Sequence, residues 1–162
     1  PGHFEGVITI IEKLFSLFKP DHVFFGKKDY QQLMLIKQFI SDKNYKICFH
    51  SVETVREQNS LALSSRNSLL NSEAKKIATT LFITLKEAIL ELKKIHDINQ
   101  AESFAIKKLT SLGWSVDYVE IRRQADLLKP STNDKSLVIL GAANYDGVRL
   151  IDNIEFCTDG TI

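Results

Sequence analysis

The chain has 162 residues, 44% of them hydrophobic and 25% charged, enough to bury a real core in one domain or two small ones. Its 21 basic and 20 acidic residues leave a net charge of +1, no broad electrostatic footprint for nucleic acid, and no apolar run approaches the roughly 20 residues of a membrane helix. Neither nucleic acid nor membrane is expected as a partner, and Cys48 and Cys157, far apart and outside any Cys-x-x-Cys, disfavour zinc and redox chemistry and fit a reducing cytoplasm.

From Phe4 to Phe18, Val7, Ile11, Leu14 and Phe18 recur at spacings of four, three and four, which predicts an amphipathic helix with those residues facing the core. Lys19, Pro20 and Asp21 break it, and His22 to Gly26 is a short apolar run that reads as a buried strand ending in glycine. A second helix is expected from Tyr30 to about Ser41, with Leu33, Ile36 and Ile40 inward, Asp29 as its cap and Gln32 completing a capping box. Tyr45 to Val52 reads as the next strand. Helix, strand, helix, strand with short connectors is the rhythm of a parallel α/β sheet, whose ligands bind beyond the carboxyl ends of the strands.

Residues 57–68 are a polar and mixed stretch, a loop and domain junction with the boundary placed near Arg66. A long helix is expected from about Ser72 to Lys94, with Ile77, Leu81, Leu85, Ala88 and Leu92 in one stripe and Asn71 or Ser72 as cap. Another runs from about Ile98 to Leu112 and stops at Gly113. The period then shifts to two: Trp114, Val116 and Tyr118 alternate, Leu137 to Leu140 is continuously apolar, and Asp146-Gly147 has the composition of a hairpin turn. The fold class is α/β, a partial parallel sheet over residues 1–66, followed over 67–162 by a small α+β domain with helices on an antiparallel sheet. Two strands are few for an open parallel sheet, so the chain is expected to begin inside a domain.

Two stretches can carry chemistry. Gly26, Lys27, Lys28 and Asp29 put a glycine at a strand end, two lysines in the turn and a helix start directly after. That combination suits an anion, because helix-start N–H groups and a mobile ammonium favour phosphate, and it also suits an ordinary solvated turn. Ser64, Ser65 and Arg66 offer two hydroxyls and a guanidinium for phosphate oxygens, and equally serve as capping and turn residues.

Pro1 to Val7, Phe24 to Gln32, Leu61 to Asn67 and Arg149 to Asn153 resemble, in order and spacing, the successive signatures of the pantothenate synthetases, over essentially the whole chain. The resemblance implies an ATP-dependent ligase that joins pantoate to β-alanine through a pantoyl adenylate, releasing AMP and pyrophosphate. It implies that the first domain is the C-terminal part of a Rossmann-like nucleotide-binding domain and the second a lid. By the same resemblance Lys28 binds the ATP phosphates, Gly26 and Asp29 contact the ribose side, and Val55 and Leu63 lie near adenine. Gln32 holds pantoate, whose methyl groups meet Val7, Ile10, Ile11 and Phe25. Ser64, Ser65 and Arg66 stabilise the departing pyrophosphate, Mg²⁺ accompanies the phosphates, no residue is assigned as a metal ligand, and the full-length protein is a cytoplasmic homodimer.

The chain departs from the family at Lys27, where glutamate is common, and at Asn59-Ser60, where Asp-Gly is usual. The family's Met-Gly-x-Leu-His-x-Gly-His segment is expected to precede Pro1. His3 belongs to the first signature, and His22, His50 and His96 pair with nothing at ligand spacing, so a fragment inactive by itself is the expectation. Two alternatives stay open, another nucleotidyl transferase of the same superfamily and a non-catalytic dimerisation or binding module.

Overall fold

The computed structural model describes residues 3–159, with side chains from Phe4 onward; Pro1, Gly2 and the His3 side chain, which open the first signature, and residues 160–162 of the second expected domain lie outside that description. The chain divides into two compact units between Thr54 and Val55. The division falls ahead of the junction expected near Arg66, because Leu61 and Leu70 are buried in the second unit's core and Arg56 pairs with Asp152 of that unit.

The first unit runs α1 (His3–Phe18), β1 (His22–Gly26), a 3₁₀ turn (Lys27–Asp29), α2 (Tyr30–Asp42) and β2 (Cys48–Val52). The strands pair in parallel, from His22 opposite Cys48 to Gly26 opposite Val52. Its core gathers Phe15, Val23, Ile36, Phe39 and Ile40, with Val7, Ile8 and Ile11 packed against it. The face of α1 that packs is thus Val7, Ile11 and Phe15, while Leu14 and Phe18, expected inward, are exposed. The apolar face of α1 is broad, running from Ile10, Leu14, Leu17 and Phe18 on one side to Ile8 and Phe15 on the other, and the first unit covers only the second side, so the period finds the face and not its buried half.

Two further expectations are corrected here. Asp29 makes no side-chain cap bond, because the 3₁₀ turn feeds directly into α2 and Asp29 leaves the extended conformation that capping needs (φ −95°, ψ 63°). Its carboxylate lies 3.9 Å from Lys28 Nζ instead. The second strand begins at Cys48 rather than Tyr45, since Tyr45 closes α2: Asn44 turns left-handed at φ 53° and the Tyr45 N–H donates to the Ile40 carbonyl at 3.1 Å.

The second unit opens with a hairpin-like loop, in which Arg56 bridges Ala62, and a 3₁₀ helix (Ser65–Leu69). There follow α3 (Ser72–Ile95), α4 (Ile98–Ser111), and β3 (Ser115–Arg123), β4 (Ser136–Tyr145) and β5 (Val148–Cys157), antiparallel in that order. Leu81, Leu85, Ala88 and Leu92 of α3 are buried as the stripe predicts, and share a core with Leu109, Ile121, Leu137 and Ile139. Gly113 stops α4 at φ 88°, and Asp146 and Gly147, both left-handed, make the two-residue turn that matches strand twist. The result is the α/β piece with a parallel strand pair followed by an α+β unit that the sequence predicts.

Asn71 caps α3, its Oδ1 accepting from the Ala74 N–H at 2.8 Å. Asn71→Ala is expected to lower stability by about 1 kcal/mol in a denaturant titration with unchanged m-value. Glu102 of α4 accepts the Ile121 N–H on the open side of β3 at 2.6 Å. Burial pushes its carboxyl up, against the Ile121 hydrogen bond and Arg122, which pull it down. The native state therefore holds a proton that the unfolded chain releases, so this group's contribution falls as pH rises from about 4 through the raised value. Glu102→Gln is expected to flatten that part of the stability profile, measured by thermal unfolding across the same pH range.

Candidate functional site: two loops, one on each unit

The first loop stands at the carboxyl end of β1. Gly26 has ordinary extended backbone (φ −74°, ψ 136°), and a Cβ there would meet nothing within 4 Å. Neither conformation nor packing in this fold requires a glycine at that position, and the open space leaves the backbone approachable by a ligand. Lys27 and Lys28 follow in the 3₁₀ turn. Lys27 Nζ is held by Glu53, which follows β2, at 2.5 Å. Lys28 keeps one-fifth of its side chain exposed, beside the Asp29 carboxylate. The two lysines therefore differ: one closes the ends of the parallel strands together, the other flanks the entry to α2.

Gln32 lies one turn into α2 and is half-buried. Of the apolar residues expected near it, Val7, Ile11 and Phe25 come together against the first unit's core, and Phe25 stacks on Phe49 at 5.7 Å between ring centroids. Ile10 is not among them: it lies at the outer edge of the apolar face of α1 and is 60% exposed.

The second loop is built on the hairpin of residues 55–63. The Leu63 N–H donates to the Val55 carbonyl at 2.9 Å, which sets the two exposed aliphatic side chains on facing strands of one turn. Ser64 then caps the 3₁₀ helix, its Oγ accepting from the Arg66 N–H at 3.2 Å. Ser65 and Arg66 are exposed, while Asn67 behind them is buried. Ser60 occupies φ 75°, a left-handed conformation that explains why glycine suits this position and that costs a serine strain.

The arginines decide which charge is available. Arg56 pairs with Asp152, Arg122 with Glu120, Arg123 with Asp126 and Arg149 with Asp117. Arg66 alone among the five arginines has no carboxylate partner among the described residues. Among those residues there is also no group of three His, Cys, Asp or Glu side chains that could hold a metal ion. Among the described residues no helix is long and apolar enough to cross a membrane.

One feature was invisible in the sequence. His22 and His50, separated by 28 positions and expected to be unpaired, meet across β1 and β2 with Nδ1 and Nε2 at 2.9 Å, and Phe24 stacks on His50. Parallel pairing of strands joined by a helix is what brings them together, and only the register, not their spacing, could have revealed it.

Comparison with known proteins matches these loops to one family. The family model described as Pantoate-beta-alanine ligase matches residues 1–155. A pantothenate synthetase of Methylococcus capsulatus is 44% identical over 162 residues, 99% of this chain and 57% of the relative. One from Neisseria meningitidis serogroup B is 46% identical over 157 residues, 96% of this chain and 56% of the relative. Among solved structures, the pantothenate synthetase of Thermus thermophilus superposes with a TM-score of 0.84 at 35% identity, covering 95% of this chain and 56% of that one. The pantoate-beta-alanine ligase of Francisella tularensis, complexed with beta-gamma ATP and beta-alanine, superposes with a TM-score of 0.68 at 32% identity, covering 95% and 51%. The chain thus spans a little over half the length of the relatives it matches. On a match that takes in both loops and both units, the chain belongs to the pantoate–β-alanine ligase family.

Proposed function

We propose that this chain supplies the phosphate-binding turn and the pyrophosphate-stabilising loop of an enzyme that condenses pantoate with β-alanine at the expense of ATP. The observation that carries the reading is Arg66, a guanidinium without a counter-charge among the described residues, directly after two hydroxyls and within the family's matched region. A cation kept unpaired at a loop is suited to charge that appears only during reaction.

In the first step a pantoate carboxylate oxygen attacks the α-phosphorus of ATP, the bond to pyrophosphate breaks, and pantoyl adenylate forms. In the second the neutral amine of β-alanine attacks the acyl carbon, the bond to AMP breaks, and the amine proton is released. No side-chain nucleophile is needed; the protein positions and neutralises. Lys28 takes the ATP phosphates, with Gly26 and Asp29 at the ribose. Val55 and Leu63 flank the adenine. Gln32 binds pantoate, and Val7, Ile11 and Phe25 receive its methyl groups; Ile10, exposed at the outer edge of the apolar face of α1, is the weakest member of that set. Ser64, Ser65 and Arg66 meet the pyrophosphate charge. Residues 1–66 thus carry all of these contacts and 67–162 form the lid, though the fold itself divides at Val55. Mg²⁺ accompanies the ATP phosphates, as the family resemblance implies. The exposed, unbridged thiols of Cys48 and Cys157 suit a cytoplasmic setting, and assembly as a homodimer follows from the family resemblance.

The test is ATP–pyrophosphate exchange in a fusion that adds, from the Methylococcus capsulatus relative, the part of its length this chain does not span. Exchange is expected only with pantoate present, and pantothenate only when β-alanine is added. Exchange independent of pantoate would favour another nucleotidyl transferase, and no nucleotide binding at all would favour a binding module. Without the addition, the 162-residue chain is expected to turn over little or not at all; a rate near that of a full-length relative overturns that part of the proposal.

A further inference from the structure

The Arg149 to Asn153 stretch resembles a family signature, yet no role in the chemistry has been assigned to it. The structure shows what its aspartate touches. Asp152 lies on β5 with only 5% of its side chain exposed, and both of its oxygens accept from Arg56, Oδ2 from Nη1 and Oδ1 from Nη2, each at 2.7 Å. Asp152 Oδ1 also accepts the Asn153 N–H at 2.8 Å. Arg56 lies 3.6 Å over the Phe82 ring of α3, and Nη1 donates to the Ser60 carbonyl at 3.1 Å. A bidentate, stacked and largely buried guanidinium has one available geometry, so it fixes whatever it touches.

What it touches is the hairpin that precedes Ser64. Arg56 bridges Ala62, the Glu57 N–H donates to the Leu61 carbonyl at 2.8 Å, and Ser60, whose carbonyl Arg56 holds, is the left-handed residue of the turn. The far side is tied by Asn67, whose Nδ2 donates to the Ala62 carbonyl at 3.0 Å and to Glu57 Oε1 at 3.2 Å. Ser64, Ser65 and Arg66 lie between these two ties. The Ser65 and Arg66 side chains are exposed, and half-buried Ser64 is held only by its cap bond to the Arg66 N–H.

We propose that Arg56 and Asp152 are positioning residues, which transmit the rigidity of β5 through the hairpin to the Ser64 to Arg66 loop and so set where its hydroxyls and guanidinium stand. The inference rests on the assigned role of that loop, and it extends it to residues that touch no substrate. Arg56→Lys keeps the charge and loses the fork; Asp152→Asn keeps the shape and loses the charge.

Two measurements test it. In the 162-residue chain, hydrogen exchange of the Glu57, Leu63 and Asn67 amides is expected to be at least about tenfold faster in Arg56→Lys, with amides of α3 and β4 unchanged. In the fusion, the same variant is expected to lose about 100-fold in kcat with KM for ATP within about twofold, the mark of misplaced rather than missing groups. Asp152→Asn is expected to behave likewise; if burial of the unpaired guanidinium unfolds it, Arg56→Lys decides alone. Exchange that stays protected in the loop, or that accelerates equally throughout the chain, overturns the proposal, as does a loss confined to KM. Arg66→Ala in the same fusion separates the two readings. If it leaves pantothenate formation intact, the assigned role of the loop fails, while the exchange data still decide whether Arg56 holds the loop in place.

Discussion

Replacing Lys28 by alanine in the fusion is expected to reduce pantoate-dependent ATP–pyrophosphate exchange about 100- to 1000-fold, the range found when one preorganised charge-stabilising group is removed. The expectation follows from where the turn stands rather than from the count of lysines. Lys27 and Lys28 are adjacent, but Lys27 is spent on Glu53 across the ends of the two strands, and that partner is largely exposed. Lys27 itself keeps only 16% of its side chain exposed and its charge is already matched by Glu53, so Lys27→Ala is expected to change exchange by no more than a few-fold. Lys28 stands in the turn that leads into α2, where helix-start N–H groups and an open Gly26 suit an anion. Similar losses for the two alanine variants would show that the turn acts only through net charge. No loss for Lys28→Ala would remove it from the phosphate site altogether.

How much of this was legible beforehand depends on the range of the interaction concerned. Local signals were reliable: Asn71 caps α3, Gly113 stops α4 and Asp146-Gly147 turns the hairpin, each through a bond or dihedral set by neighbours a few positions away. The α3 stripe was legible because its polar face leaves one choice. In α1 the apolar face is wider than the surface the first unit covers, and within it the expected Leu14 and Phe18 give way to Phe15. Asp29 misled for a different reason: the right residue type stood before the helix, but a 3₁₀ turn held it in the wrong conformation.

The candidate site shows the same division. Its loops were visible as motifs, whereas the backbone pairing of Val55 with Leu63 was not. What the sequence could not show is which charges folding consumes. Five arginines look alike in a string; among the described residues four acquire carboxylates from distant strands or nearby turns, and Arg66 does not. The partnership of Arg56 and Asp152 spans 96 positions and places the family's last signature beneath its third. Long-range pairing of this kind is set by sheet register and packing, for which a single sequence carries no periodic signal.

The same limit applies to Gly141, which sits in the apolar run of β4 as if it were an ordinary small residue. A Cβ there would lie 3.1 Å from Leu85 Cδ2 and 3.3 Å from Leu81 Cδ1, so glycine is what lets α3 approach the central strand. Leu85 is fully buried, and Leu85→Ala is expected to cost about 2–5 kcal/mol through lost burial and the cavity left behind. Gly141→Ala is expected to cost about 1–3 kcal/mol for the opposite reason, overpacking against that leucine. Because the added methyl enters the space that the shortened side chain vacates, the double variant is expected to be less destabilised than the sum of the two, by about 0.5–3 kcal/mol. Urea titrations of the four proteins measure that coupling. Strict additivity would mean that Leu81, not Leu85, sets the approach of α3 to β4, and a double variant worse than the sum would mean that the helix moves away from the sheet instead of closing on it.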